Sequence, residues 1–136
     1  GRALALALAA AGARLVLAAR NEARLASLAA ECEALGAEAL AVPTDVAQEP
    51  QCGALVAAAL ARFGTIDLPV ANAGMTMWSR LDELSDPGVL ERLMRVNYLG
   101  AAWLARHALP ALVRSRGRIV AVSSLAGLAG VPTRTG

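Results

Sequence analysis

Short apolar runs alternate with segments of helix length throughout this chain, and nothing else in it restricts the fold as strongly. Residues 2–11 are strong helix formers closed by Gly12, and residues 14–19 read as a strand. Residues 22–35 form an amphipathic helix with Leu25, Leu28 and Leu35 on one side, ended by Gly36. A strand over 38–42 stops at Pro43, and a helix over 49–63 stops at Gly64. A strand over 66–71 leads into a loop from Asn72 to Asp86. Pro87 then opens a helix that runs to Ser115 with a kink near Pro110, and residues 118–122 form the last strand. The order is αβαβαβαβ. Helix-length crossovers between apolar strands imply a parallel sheet covered on both faces, so a doubly wound α/β fold is expected. A closed (β/α)₈ barrel needs more units.

Composition narrows the function. Apolar residues make up 57% of the chain and aromatics 3%, so Ala, Leu and Val must build the core. The net charge of +2 leaves no footprint for nucleic acid or an anionic membrane. The apolar run from Ala3 to Ala13 is too short to span a bilayer, and no signal-peptide pattern frames it. Cys32 and Cys52 lack CxxC or Cys/His spacing, which argues for a reducing, cytoplasmic setting and against a disulfide framework or a metal site. Every basic residue is Arg, and no Lys is present.

Ligands and chemistry gather at the carboxyl ends of strands in α/β proteins. Ser123 and Ser124 end the strand that starts at Arg118, and either hydroxyl is a candidate. His107 is the sole His, and its surroundings suggest no Ser-His-Asp triad.

Spaced motifs then accumulate: Ala18-Ala19-Arg20-Asn21 after a strand, Asp45-Val46, Asn72-Ala73-Gly74, Asn97-Tyr98-Leu99-Gly100, and Gly117-Arg118-Ile119-Val120-Ala121-Val122-Ser123-Ser124. In this order the chain resembles the short-chain dehydrogenase/reductase family along its whole length. The resemblance implies one Rossmann-type dinucleotide-binding domain over residues 1–136, incomplete relative to the family. Gly1 is similar to the last glycine of the family's phosphate loop, where backbone approaches a pyrophosphate at a helix N-terminus. Arg20 falls where the cofactor's adenosine ribose is read. An acid there selects a 2′-hydroxyl and Arg a 2′-phosphate, so NADP(H) is expected in preference to NAD(H). The resemblance assigns Asp45 to the adenine with Val46 packed beside the ring; as an ordinary residue Asp45 would be a helix N-cap. Asn72, Ala73 and Gly74 would let the cofactor pass close to the sheet. Pro69 inside that strand and Ala71 in place of a second Asn depart from the family pattern.

Asn97 reads on its own as a buried core amide or a small helix irregularity; the resemblance makes it the active-site Asn of a proton relay. Family spacing to the catalytic Tyr, counted from Ser123, falls on Gly136, which is not Tyr. Counted from Ser124 it falls one position later, so Ser124 is the catalytic candidate and Ser123 structural. Tyr98 lacks the Lys that would lower a phenol's pKa, since Ala102 stands there, and it is read as a packing residue.

These features imply hydride transfer between NADP(H) and an alcohol/carbonyl substrate, in a protein that self-associates through the helix around 89–115. The other reading is a non-catalytic nucleotide-binding protein on the same fold. A chain with only part of the phosphate loop and no Tyr-Lys pair is expected to be a fragment. Without the family's first strand, its sheet would fall into two pairs with exposed edges.

Overall fold

The computed structural model describes residues 1–129. Helix α1 covers Arg2–Ala10 and strand β1 Leu15–Ala19. Gly12 between them takes a left-handed φ of 79°, which suits glycine in a tight stop. Helix α2 (Glu22–Ala34) starts at Asn21, whose side chain accepts from the Arg24 backbone N–H at 2.9 Å. Strand β2 is Ala39–Pro43 and helix α3 is Glu49–Phe63. Strand β3 is Val70–Ala71, helix α4 is Gly88–Met94, helix α5 is Gly100–Ser115 and strand β4 is Val120–Ala121. The predicted alternation is therefore present, in α/β form.

The strands pair in parallel but in two separate sheets, β1 with β2 and β3 with β4. Leu15 faces Ala39 and the register runs to Ala19 against Pro43. Pro43 thus ends β2 from within instead of stopping it from outside. The Thr44 N–H bonds the Ala19 carbonyl at 3.0 Å, so the ring nitrogen of Pro43 points away from β1 and costs the ladder nothing.

The second pair is shorter than the apolar runs suggest. Arg118, Val120 and Val122 donate to the carbonyls of Asp67, Pro69 and Ala71 at 2.9–3.0 Å. Pro69 has no N–H to donate, so the ladder closes only at Val70–Val120 and Ala71–Ala121. Gly117 makes this approach possible, because a Cβ on it would overlap the Asp67 carbonyl oxygen and the Leu112 side chain.

The long helix predicted from Pro87 to Ser115 is not uniform. It is α4, a π turn over Arg95–Leu99, and α5, with Pro110 inside α5. The core divides as the sheets do. Ala5, Ala9, Leu15, Leu17, Leu25, Ala29, Cys32 and Ala37 pack around β1, while Val56, Ala108 and Leu112 pack between α3 and α5. Among the described residues no helix is long and apolar enough to cross a membrane.

Candidate active site

The carboxyl ends of β1, β2, β3 and β4 carry the motif residues. At the end of β1, Ala19, Arg20, Asn21 and Arg24 line an open surface hollow. Arg24 was not singled out by its motif. Its signal is position, since it stands at the start of α2 behind the capping residue Asn21, on the same end as Arg20.

At the end of β2, Thr44 is buried and its hydroxyl donates to the Val42 carbonyl at 2.9 Å. Asp45 does not cap α3, whose preceding residue is Gln48. Its Oδ1 instead accepts from the Ala47 N–H at 3.0 Å, and its own N–H donates to Gln51 Oε1 at 2.7 Å. Val46 lies against Gly100, and its carbonyl accepts from the Cys52 thiol at 3.6 Å. Burial, then the negative charges of Asp45 and Glu49, push the Cys52 thiol above its ordinary pKa.

At the end of β3, Asn72 reaches the start of α1. A Cβ on Gly1 would lie 3.2 Å from Asn72 Nδ2, so these two motifs, far apart in sequence, meet. Ala73 follows, exposed at its side. Gly74 lies under the Asn97 side chain, with its notional Cβ 3.5 Å from Oδ1.

Asn97 is exposed, which corrects its reading as a buried amide. It belongs to the π turn, and each of its amide atoms bonds the backbone of one residue, Met75. Oδ1 accepts from the Met75 N–H at 2.8 Å and Nδ2 donates to the Met75 carbonyl at 2.9 Å. The irregularity and the polar residue therefore coincide: π turns inside α-helices are frequent at functional sites. The register of β3 beside β4 sends the Asn72–Met75 loop and the Ser123–Ser124 loop out of the same end of the sheet.

Ser124 precedes a 3₁₀ turn over Leu125–Gly127, and its Oγ accepts from the Ala126 N–H at 3.2 Å. Accepting that bond leaves its hydrogen available to donate. The position that family spacing from Ser124 gives the catalytic Tyr falls one past Gly136, outside the described residues. Tyr98 is exposed in the π turn and so does not pack in the core. Met75 and Trp78 expose apolar surface on the loop after Gly74.

Across all of residues 1–136 the chain matches the short chain dehydrogenase model. It is 39% identical over 125 residues to 11-beta-hydroxysteroid dehydrogenase A of Sesamum indicum, covering 91% of this chain and 36% of that protein. It is 42% identical over 89 residues to L-fucose dehydrogenase of Mus musculus, covering 65% of this chain and 33% of that protein. The chain thus spans about a third of the length of these relatives. Among solved structures it is similar to an alcohol dehydrogenase of Thermococcus sibiricus complexed with 5-hydroxy-NADP, with a TM-score of 0.91 and 31% identity over 98% of this chain and 57% of the other. It is also similar to an NADH-dependent reductase of alginate metabolism, with a TM-score of 0.88 and 27% identity over 96% of this chain and 56% of the other. With a Rossmann-type α/β architecture and a family match along its whole length, the chain belongs to the short-chain dehydrogenase family of oxidoreductases.

Proposed function

We propose that the protein transfers a hydride between NADP(H) and a small-molecule alcohol/carbonyl pair. One observation carries the choice of cofactor: two arginines, Arg20 and Arg24, and no carboxylate line the hollow at the end of β1. Guanidinium groups match a 2′-phosphate in charge and geometry. The fold does not decide the matter, since the two structural neighbours carry an NADP analogue and an NADH requirement in their names.

The remaining residues fit a dinucleotide. Gly1 and Gly74 bear no Cβ, which suits close passage of a ligand along their backbone. Asp45 and Val46 border the adenine end, Asn72 and Ala73 the middle, and Gly1 the pyrophosphate at the N-terminus of α1. NADP(H), when bound, supplies or receives the hydride. Ser124 donates its free hydroxyl hydrogen to the substrate oxygen and so orients it. Asn97 is placed in the proton relay, and its two bonds to Met75 hold the substrate-side loop in place. Met75 and Trp78 on that loop supply an apolar wall. Self-association uses α5, where Leu109 and Val113 are exposed, and the two free thiols suit a reducing, cytoplasmic setting.

The test is Arg20→Asp in the intact protein, read by fluorescence titration with NADPH and NADH and by reductase assays with each. Loss of the guanidinium and gain of an acid should weaken NADPH by about 2–3 kcal/mol, a loss of about thirtyfold or more, and leave NADH unchanged or improved. An unaltered NADPH-over-NADH ratio would refute the role given to Arg20.

A further inference from the structure

We propose that Gly100 is a positioning residue that seats the Asp45–Val46 loop directly on the helix carrying Asn97, so that adenine-end binding and the placement of Asn97 form one mechanical unit. The proposal rests on the assignment of Asp45 and Val46 to the adenine end.

Gly100 has φ −59° and ψ −42°, an ordinary helical conformation that every residue adopts. Backbone geometry therefore gives no reason for glycine, and alanine would be the better helix former. Space gives the reason. A Cβ on Gly100 would lie 3.0 Å from Val46 Cβ, 3.0 Å from Val46 Cγ2 and 3.0 Å from the Val46 carbonyl oxygen. Two of these atoms are fixed to the backbone, so no rotamer change relieves the crowding.

The loop cannot retreat easily on its other side. The Val46 carbonyl already accepts from Cys52, a wholly buried residue of α3. Asp45 is tied to Gln51 of α3 through its N–H and to Ala47 through its carboxylate. Added bulk at Gly100 must then push α5 away from the loop. Gly100 also closes the π turn, since its N–H donates to the Arg95 carbonyl across Asn97. A shift of Gly100 is thus passed to Asn97 and, through its paired bonds, to Met75.

Gly53 is a matched comparison. It is a second helical glycine pressed on a neighbour, with its notional Cβ 3.1 Å from the His107 ring. That ring is a side-chain end whose Nε2 meets Glu49 Oε1 at 3.1 Å, and a side-chain end yields more readily than backbone atoms.

The experiment compares the intact wild-type protein with Gly100→Ala and Gly53→Ala. Three measurements are made: calorimetric titration with 2′,5′-ADP, the rate of Cys52 alkylation by iodoacetamide, and hydrogen exchange at the Met75 amide. Gly100→Ala should weaken 2′,5′-ADP about tenfold and speed both alkylation and exchange by a similar factor, while Gly53→Ala stays within about twofold of wild type on all three. Binding within about twofold in Gly100→Ala, or an equal loss in Gly53→Ala, overturns the proposal. If wild type fails to bind 2′,5′-ADP, the cofactor assignment fails, and alkylation and exchange alone decide the packing claim. Should Gly100→Ala not fold, Val46→Ala replaces it. Removing the two Cγ atoms should loosen the same seat, with faster alkylation and weaker 2′,5′-ADP, and wild-type values would overturn the idea.

Discussion

At the scale of single residues, Asn97 shows most directly how one side chain fixes a loop. Its two hydrogen bonds to Met75 have opposite sense, one accepted and one donated, so only a primary amide satisfies both. Asn97→Asp keeps an acceptor for the Met75 N–H but sets a carboxylate oxygen against the Met75 carbonyl. The expected result is a destabilisation of about 1–2 kcal/mol, reflecting one lost bond and one facing pair of acceptors at a site open to water. Urea unfolding of the intact protein measures it, and a midpoint equal to wild type would mean that the pair is not held in solution. Cys32 behaves in the opposite manner, as a residue whose chemistry is suppressed. Burial, then the negative charge of Glu31, raises its thiol pKa and keeps it neutral inside the cluster around β1. Asp86, exposed before α4, is held below the usual carboxylate range by its bond from Arg92 and then by the Gly88 N–H.

At the scale of elements, the helix boundaries were legible in the sequence because Gly12, Gly36 and Gly64 take the left-handed φ values that glycine permits. The end of α5 had no such mark. Arg116 adopts φ 53° there, the one left-handed residue other than glycine among those described. A side chain in that conformation costs about 1–2 kcal/mol, against about 0.5–1 kcal/mol for the extra chain freedom that glycine loses on folding. Arg116→Gly should therefore stabilise the protein by about 0.5 kcal/mol, visible as a raised urea midpoint with an unchanged slope. A lowered midpoint would show that the Arg116 side chain contributes more than its backbone costs. The lengths of β3 and β4 were less legible. Apolar runs reveal that a strand exists, but the missing N–H of Pro69 sets how far its ladder extends, and only the pairing shows which carbonyls receive a donor. The π turn was hidden for a related reason. Leu93, Ala101 and Leu104 keep a helical pattern through it, and one added residue in a turn leaves little trace in hydrophobic spacing. The motifs are readable in order along the sequence, whereas the place of Arg24 beside Arg20 and the closeness of Gly100 to Val46 needed the folded positions of α2 and α5.

At the scale of the whole molecule, the two sheets and the two core clusters are the same division seen twice. Each sheet has two strands, and pairs of strands are marginal in water unless further strands or helices cover them. The β1–β2 pair is covered by α1 and α2, and its buried cluster has eight members. The β3–β4 pair is supported by three buried residues between α3 and α5. Around it, Val113 is 71% exposed, Val122 57%, Leu125 82% and Leu128 86%. Strands of parallel sheets are ordinarily buried on both faces, so the exposed β4, with Val122 just beyond it, offers both an apolar face and an unpaired edge to other molecules. Residues 1–136 expressed alone should therefore associate through this half. Size-exclusion chromatography at rising concentration is expected to show growing aggregates, and hydrogen exchange should protect β1 and β2 well before β3 and β4. Turnover of NADPH by that chain should stay at background, because Ser124 and Asn97 sit on the less supported half, beside the exposed edge. A monomer with uniform protection across both strand pairs, or measurable carbonyl reduction, would show that the second pair stands on the α3–α5 packing alone.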